Sequence, residues 1–355
     1  MRRQKTSFLA GPILGLAFVL AAALPASAQG FVTAQTVSQE QCGELKANPT
    51  AWVAACSQII DSGKVLGPEL AKAYAHRGHA YTMLRNLQRA GEDLDNAIKL
   101  DPKSHIAYIN RANFLNVIGK PEHAMADANR AVELAPGLPH SYFVRGAAAM
   151  KLKNHDLAIS DFSEVLRMRP NFAMVYGLRG LAYHNTGDDQ RAVADYDERL
   201  KREPDAGTFL YRGDARRNLK DYAGATDDYS AAIKLAPTNA GGWKGRGFIR
   251  MVTQDYKGSV ADFDQAIKLD ATEAAVYMNR GSALALLGKK ERALADYNMA
   301  VKLDPAHPLH HVSRAMLLNE MGKRADAIAG LKKALAITPN FPPALEQLKK
   351  IEAKS

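Results

Sequence analysis

Residues 71–104 read AKAYAHRGHAYTMLRNLQRAGEDLDNAIKLDPKS, and residues 105–138 read HIAYINRANFLNVIGKPEHAMADANRAVELAPGL. Laid over one another, Tyr74 meets Tyr108, Arg77 meets Arg111 and Gly78 meets Ala112; Ala90 then meets Ala124, Asp93 meets Asp127 and Pro102 meets Pro136. A fixed period of this length signals a repeat architecture. Small residues continue the register at Gly146, Gly180, Gly213, Gly247, Gly281 and Ala315, every step being 34 residues except one of 33 before Gly213. Twelve residues past each stands another small side chain, at Ala90, Ala124, Ala158, Ala192, Ala225, Ser259, Ala293 and Ala327. Four residues before each is a ring: Tyr74, Tyr108, Tyr142, Tyr176, Phe209, Trp243, Tyr277 and, last, His311. Proline closes seven of the eight units, with Ala271 at that place in the sixth. Each unit holds two helical patterns of about 14 residues joined by a short turn. Gly119, Gly187, Gly288 and Gly322 end four of the first helices, where a left-handed residue costs least. Small residues facing each other allow the two backbones to approach closely. One unit cannot bury its apolar face alone, so neighbours stack and share a core.

Eight such units in phase resemble the tetratricopeptide repeat (TPR) family over residues 71–341. The resemblance implies an all-α fold, an α-solenoid of stacked helix-turn-helix units forming a right-handed superhelix with a concave inner face. It also implies work by binding rather than by catalysis. Residues 342–355, PPALEQLKKIEAKS, form one more amphipathic helix, with Leu345, Leu348 and Ile351 as its stripe and a polar outer face suited to a cap. Residues 29–70 are expected to hold a flexible leader and a degenerate helix pair, Gln41–Ala47 and Thr50–Ser62.

Residues 1–28 read as an address. Arg2, Arg3 and Lys5 precede an apolar run from Phe8 to Leu24, and Ala26-Ser27-Ala28 supplies small residues for cleavage. The run is shorter than a membrane span and is broken by Gly11, Pro12 and Gly15. An uncleaved anchor is the alternative; the well-formed cleavage site favours removal. The mature protein is then expected in a periplasm or outside the cell, with no stable membrane insertion. In that oxidising compartment Cys42 and Cys56 are expected to form a disulfide, the alternative being two separately buried thiols.

An arginine precedes each small residue, and aspartate follows 16 residues later in seven of the eight units. The couples are Arg77–Asp93, Arg111–Asp127, Arg145–Asp161, Arg179–Asp195, Arg212–Asp228, Arg246–Asp262 and Arg280–Asp296; Arg314 is followed by Gly330 instead. A planar guanidinium can meet a carboxylate through two parallel bonds, within a unit or across a junction. The structural reading is a ladder that fixes helix register. The functional alternative, a row of arginines for an acidic ligand, is weakened because the aspartates already supply counter-charge.

In the family the groove is lined mostly by first helices. Carried onto this chain, that implies a peptide-binding surface of Lys72, His79, Asn113, Asn116, Phe143, Met150, Leu181, His184, Lys244, Phe248, Met251 and Met278. Asparagines suit an extended backbone and methionines adapt to varied side chains. The lysine–asparagine carboxylate clamp of chaperone-tail binders is not reproduced in any one unit. The alternatives are a groove with no dedicated ligand or one filled by a neighbouring copy in a homo-oligomer.

The middle of the array departs from the pattern. Arg199 replaces a small residue, Arg216 and Arg250 replace apolar ones, and Arg212 and Arg217 lie close by. These form a candidate basic patch for an acidic segment, or for an anionic envelope polysaccharide or peptidoglycan. Alternatively they pair with local acids such as Asp214, Asp221 and Asp227. The formal charge is +10, three of which belong to the leading Arg2, Arg3 and Lys5. This permits acidic partners, nucleic acid included, but the export signal argues against nucleic acid. No HExxH, GxSxG or phosphate-binding glycine loop occurs, and no catalytic residue, metal or cofactor is expected. The expectation is an exported scaffold or adaptor that binds a protein or extended peptide in envelope assembly or maintenance.

Overall fold

The computed structural model describes residues 42–43 and 48–353. The expected address at 1–28, the expected leader, most of the helix expected over 41–47 and the last two residues lie outside the described part. The chain divides into two compact units between Val175 and Tyr176.

The first unit contains α1 (Pro49–Asp61), α2 (Gly67–Met83), α3 (Leu87–Leu100), α4 (His105–Val117), α5 (Pro121–Leu134), α6 (Pro139–Lys151) and α7 (His155–Met168). Asn48 caps α1, its side-chain oxygen accepting from the Ala51 amide at 2.7 Å. Cys42 is joined to Cys56 on α1. The pairs α2/α3, α4/α5 and α6/α7 pack antiparallel, and the first helices also touch in sequence, α2 on α4 and α4 on α6.

In the second unit α8 (Ala173–Thr186), whose first turn precedes the division, is followed by α9 (Asp189–Arg202), α10 (Ala206–Asn218), α11 (Tyr222–Leu235) and α12 (Ala240–Val252). Then come α13 (Tyr256–Leu269), α14 (Ala274–Leu286), α15 (Lys290–Leu303), α16 (Pro308–Glu320), α17 (Arg324–Ile337) and α18 (Pro342–Glu352). The same pairing holds, and α10, α12 and α14 touch in succession. All described regular elements are α-helices, so the fold is an all-α solenoid of helix pairs.

Local chemistry explains the boundaries. Asn86, Asn154, Asp188, Asp221 and Asp255 cap the second helices α3, α7, α9, α11 and α13 through their side chains; such caps satisfy amides that the helix leaves unpaired. Every turn from first to second helix has a left-handed residue. Four are the expected glycines; the other four are Arg85, Lys153, Lys220 and Gln254. Nothing about these large side chains signals that conformation in the sequence.

The pairing of small residues needs one correction. The first-helix glycine makes room chiefly for a bulky side chain 16 residues later. A Cβ on Gly213 would lie 2.9 Å from the Tyr229 ring, and one on Gly281 would lie 2.8 Å from the Tyr297 ring. Where the first helix carries Ala112, the residue 16 later shrinks to Ala128, and both are fully buried. In these pairs the core trades volume between two positions, whereas in the eighth Ala315 is followed by the fully buried Leu331.

The cap helix α18 buries Ala344 and Ile351 against Leu331 and Ala334. Leu345, expected in that stripe, is 43% exposed instead, because Ala344 is the residue facing α17. The Arg324 guanidinium donates to the Ile351 carbonyl at 2.7 Å and ties the cap's last turn to α17.

Gly119 isolates the backbone contribution. Its φ is +75°, and nothing lies within 4 Å of a Cβ built there. Gly119→Ala should therefore lower stability by about 1 kcal/mol from left-handed strain alone, read as a shift in the urea midpoint without a change in helix content.

Candidate functional site

All seven arginine–aspartate couples close within their own helix pair, each through two bonds. Arg77 donates Nε and Nη2 to Asp93 at 2.7 and 2.9 Å. Arg111 does the same to Asp127 (2.7 and 2.8 Å), Arg145 to Asp161 (2.9 and 2.7 Å) and Arg179 to Asp195 (2.8 and 2.8 Å). Arg246 reaches Asp262 and Arg280 reaches Asp296 in the same way, and Arg212 holds Asp228 through Nε and Nη2. The Asp161 and Asp228 side chains are 1% exposed.

Two further contacts complete most rungs. The third guanidinium nitrogen reaches back to the preceding second helix, from Arg111 to Asp95 at 2.9 Å and from Arg280 to Asp264 at 2.7 Å. Arg246 bonds Ser230 at 3.1 Å, and Arg77 bonds Ser57 of α1 at 3.0 Å. Under most of these arginines lies the aromatic three residues earlier, with Arg77 5.4 Å from the Tyr74 ring centre and Arg246 5.1 Å from that of Trp243. The couple is thus intramolecular within a unit and the arginine also stitches a junction. Hydrogen bonding to Asp127 raises the Arg111 pKa and bonding to Asp296 raises that of Arg280. Burial pushes Asp161 and Asp195 upward, against the pull of their arginines.

The candidate basic patch carries its own counter-charge. Arg199 bonds Asp205 at 3.0 Å and Thr208 at 2.8 Å, and its stem fills the space over Gly177. Arg212 and Arg216 share Asp228, as Arg246 and Arg250 share Asp262. Arg217 pairs with Asp214 at 2.8 Å and lies over the Phe248 ring. Of the three local acids anticipated, Asp221 meets Arg216 and Asp214 meets Arg217. These five arginines therefore do not offer a free cationic face; sequence counts charge but does not show which charges are already paired.

The candidate peptide-binding residues fall into two groups. Several are turned inward. His79 lies 5.8 Å from the Trp52 ring, and its Nδ1 is buried without a partner among the described residues. Asn116 is 6% exposed and bonds the Val144 carbonyl. Phe143 stacks on Phe172 at 5.9 Å, Phe248 packs against a buried cluster and Met278 is buried. The rest are accessible to some degree. Lys72 is exposed beside Glu69, and Lys244 is half-buried against Glu273 at 2.6 Å. His184 contacts Asp189 at 2.5 Å, and Asn113, Met150, Leu181 and Met251 are half-buried.

Among the family's groove positions the structure singles out one register. Large apolar side chains are exposed at the last turn of first helices: Met83 at 40% and Val117 at 39% in the first unit, Val252 and Leu286 in the second. Each stands five residues past the small first-helix residue, so the signal was present in the repeat alignment. Among the described residues no helix is long and apolar enough to cross a membrane.

Comparison with known proteins agrees with this geometry. Tetratricopeptide repeat models match residues 71–139, 143–207 and 274–307. A solved tetratricopeptide repeat protein from Parabacteroides merdae aligns with TM-score 0.54 at 19% identity, over 70% of this chain and 98% of that one. A chain of the APC/C hetero-tetramer Cut9–Hcn1 aligns with TM-score 0.51 at 15% identity, over 85% of this chain and 83% of that one. No curated protein matches. The repeating helix pair, closed by its own ladder, defines a class of interaction scaffold. The chain is a tetratricopeptide repeat protein.

Two outcomes follow. Arg145→Ala should destabilise by about 3–5 kcal/mol, because it strands a buried carboxylate, whereas removing the exposed Lys72–Glu69 pair should cost no more than about 1 kcal/mol; urea denaturation separates them. Acid should act through His79, whose pKa burial lowers to about 4, with His76 and His140 adding repulsion. The folded state holds this ring neutral while the unfolded chain protonates it near the ordinary value of 6.5. Its contribution is whole above that pH and is lost as pH falls toward 4, on the order of 3 kcal/mol in all. His79→Gln should reduce the loss of thermal stability between pH 7 and 4.5; an unchanged loss would exclude this histidine as the cause.

Proposed function

We propose that this protein is an exported scaffold that binds an extended segment of another polypeptide along its first-helix face, in a periplasm or outside the cell. The observation that carries the reading is the exposed apolar register at Met83 and Val117, beside the half-buried Asn113 and Met150. Apolar side chains left in water at one register of successive helices offer anchor points. The neighbouring asparagine can donate to and accept from a peptide backbone. Chemistry of this kind favours binding over catalysis. Residues 1–28 supply the reason to place the work in the envelope, as an adaptor in assembly or maintenance.

The test is capture from an envelope extract by residues 29–355, compared with a Met83→Lys/Val117→Lys variant. Both positions are exposed, so the variant should keep its melting temperature. A polypeptide retained by the wild type and reduced about tenfold or more by the variant is the expected result. Equal capture by both would remove the first-helix face as the working surface. Recovery of the protein only from cytosol would remove the export part of the reading.

A further inference from the structure

The ladder is broken at one place, and the break leaves a cavity. In the eighth pair, α16/α17, the residue 16 after Arg314 is Gly330 rather than aspartate. Arg314 keeps its backward contact, Nη1 to the Asn298 oxygen of α15 at 3.4 Å. Its Nε, which in the sibling pairs donates to the aspartate, is buried with no hydrogen-bond partner among the described residues. Arg314, Gly330, Leu294 and Leu318 line a solvent-open space of about 290 Å³ between the helices. Lys333 also lines this space and forms no ion pair among the described residues. Asp326 also lines this space, exposed to solvent, and makes no ion pair with Arg314 or Lys333 among the described residues.

A buried guanidinium donor without an acceptor is costly, and the seven sibling rungs show what satisfies it: a carboxylate placed to meet Nε and Nη2 together. We propose that the cavity at Arg314 is a binding site for a carboxylate supplied from outside the helix pair. The sources that share this chemistry are an acidic side chain of another polypeptide and a free small dicarboxylate. The Arg314 guanidinium takes the first carboxylate, Lys333 attracts the ligand's remaining negative charge, and the leucines receive its methylenes. The site lies between α15, α16 and α17 and is independent of the first-helix surface, so it stands or falls separately from the function proposed above.

The test exploits the ladder itself. Gly330→Asp should restore the missing rung and close the site from within. A Cβ at Gly330 would lie 3.2 Å from the Ala315 Cβ, so the two helices must part by a few tenths of an ångström; in the second pair Ala112 coexists with a fully bonded Asp127. The probes are succinate, a short peptide rich in aspartate and inorganic phosphate. The reading is the Arg314 Nε–H resonance in the purified protein, assigned by its loss in Arg314→Lys. Succinate or the acidic peptide should shift this resonance saturably in the wild type, and at least about tenfold more weakly in Gly330→Asp. Gly330→Asp should also melt higher. A response to the peptide alone assigns the site to a polypeptide partner, and one to succinate as well assigns it to free carboxylates. Lys333→Glu, an exposed change that leaves the core untouched, should weaken binding by a similar factor and keeps the test decisive if Gly330→Asp does not fold. No shift with any probe, undiminished binding by the variants, or tighter binding of phosphate than of succinate would overturn the carboxylate site.

Discussion

A guanidinium that must satisfy three partners at once holds this molecule in register. In a full rung the arginine faces a carboxylate of its own second helix, a polar side chain of the preceding second helix and an aromatic ring one turn back. Hydrophobic burial is non-directional and would allow a helix pair to slide or rotate on its neighbour. A planar fork with fixed donor directions would not. The glycine next to the arginine then becomes necessary, because the second helix must approach closely enough for its carboxylate to be reached. Six bulky side chains seated over first-helix glycines are the packing consequence of the same approach.

The parts of this arrangement that recur with constant residue type are legible in the sequence. Arginine and aspartate 16 residues apart, in seven units out of eight, announce a contact through their spacing alone. The backward stitch is not legible, because its acceptor changes from Ser57 to Asp95, Ser230 and Asp264, and only geometry shows that these polar side chains serve one role. Arg216 and Arg250 illustrate the converse difficulty. Substituting arginine for an apolar residue looks like surplus charge, yet each side chain bends onto a carboxylate already in the ladder and doubles the rung. Left-handed turns are likewise legible at the four glycines and silent at Arg85, Lys153, Lys220 and Gln254, where the surrounding helix pair imposes the conformation.

Surface roles are harder to read than the scaffold for a physical reason. A scaffold position answers to the same neighbours in every pair and so repeats. A ligand is a single object, and residues that meet it need not resemble one another from pair to pair. His79, Asn116, Phe143 and Met278 occupy family groove positions but are largely spent on packing in this chain. Met83 and Val117 keep their apolar groups in water, which costs the fold some burial and returns nothing to the core.

The same logic gives departures from the ladder their meaning. Where a rung is complete its charges meet one another, and the five arginines of the middle of the chain are held by local acids in the same way. Where a rung is incomplete, the donor set survives without its acceptor. Arg314 retains its neighbour Asn298, while Gly330 withdraws the carboxylate and, having no side chain, leaves room in its place. A repeat protein can thus acquire a polar site by deleting one side chain from a contact it has already built many times. The geometry of that site is set in advance by the intact rungs beside it.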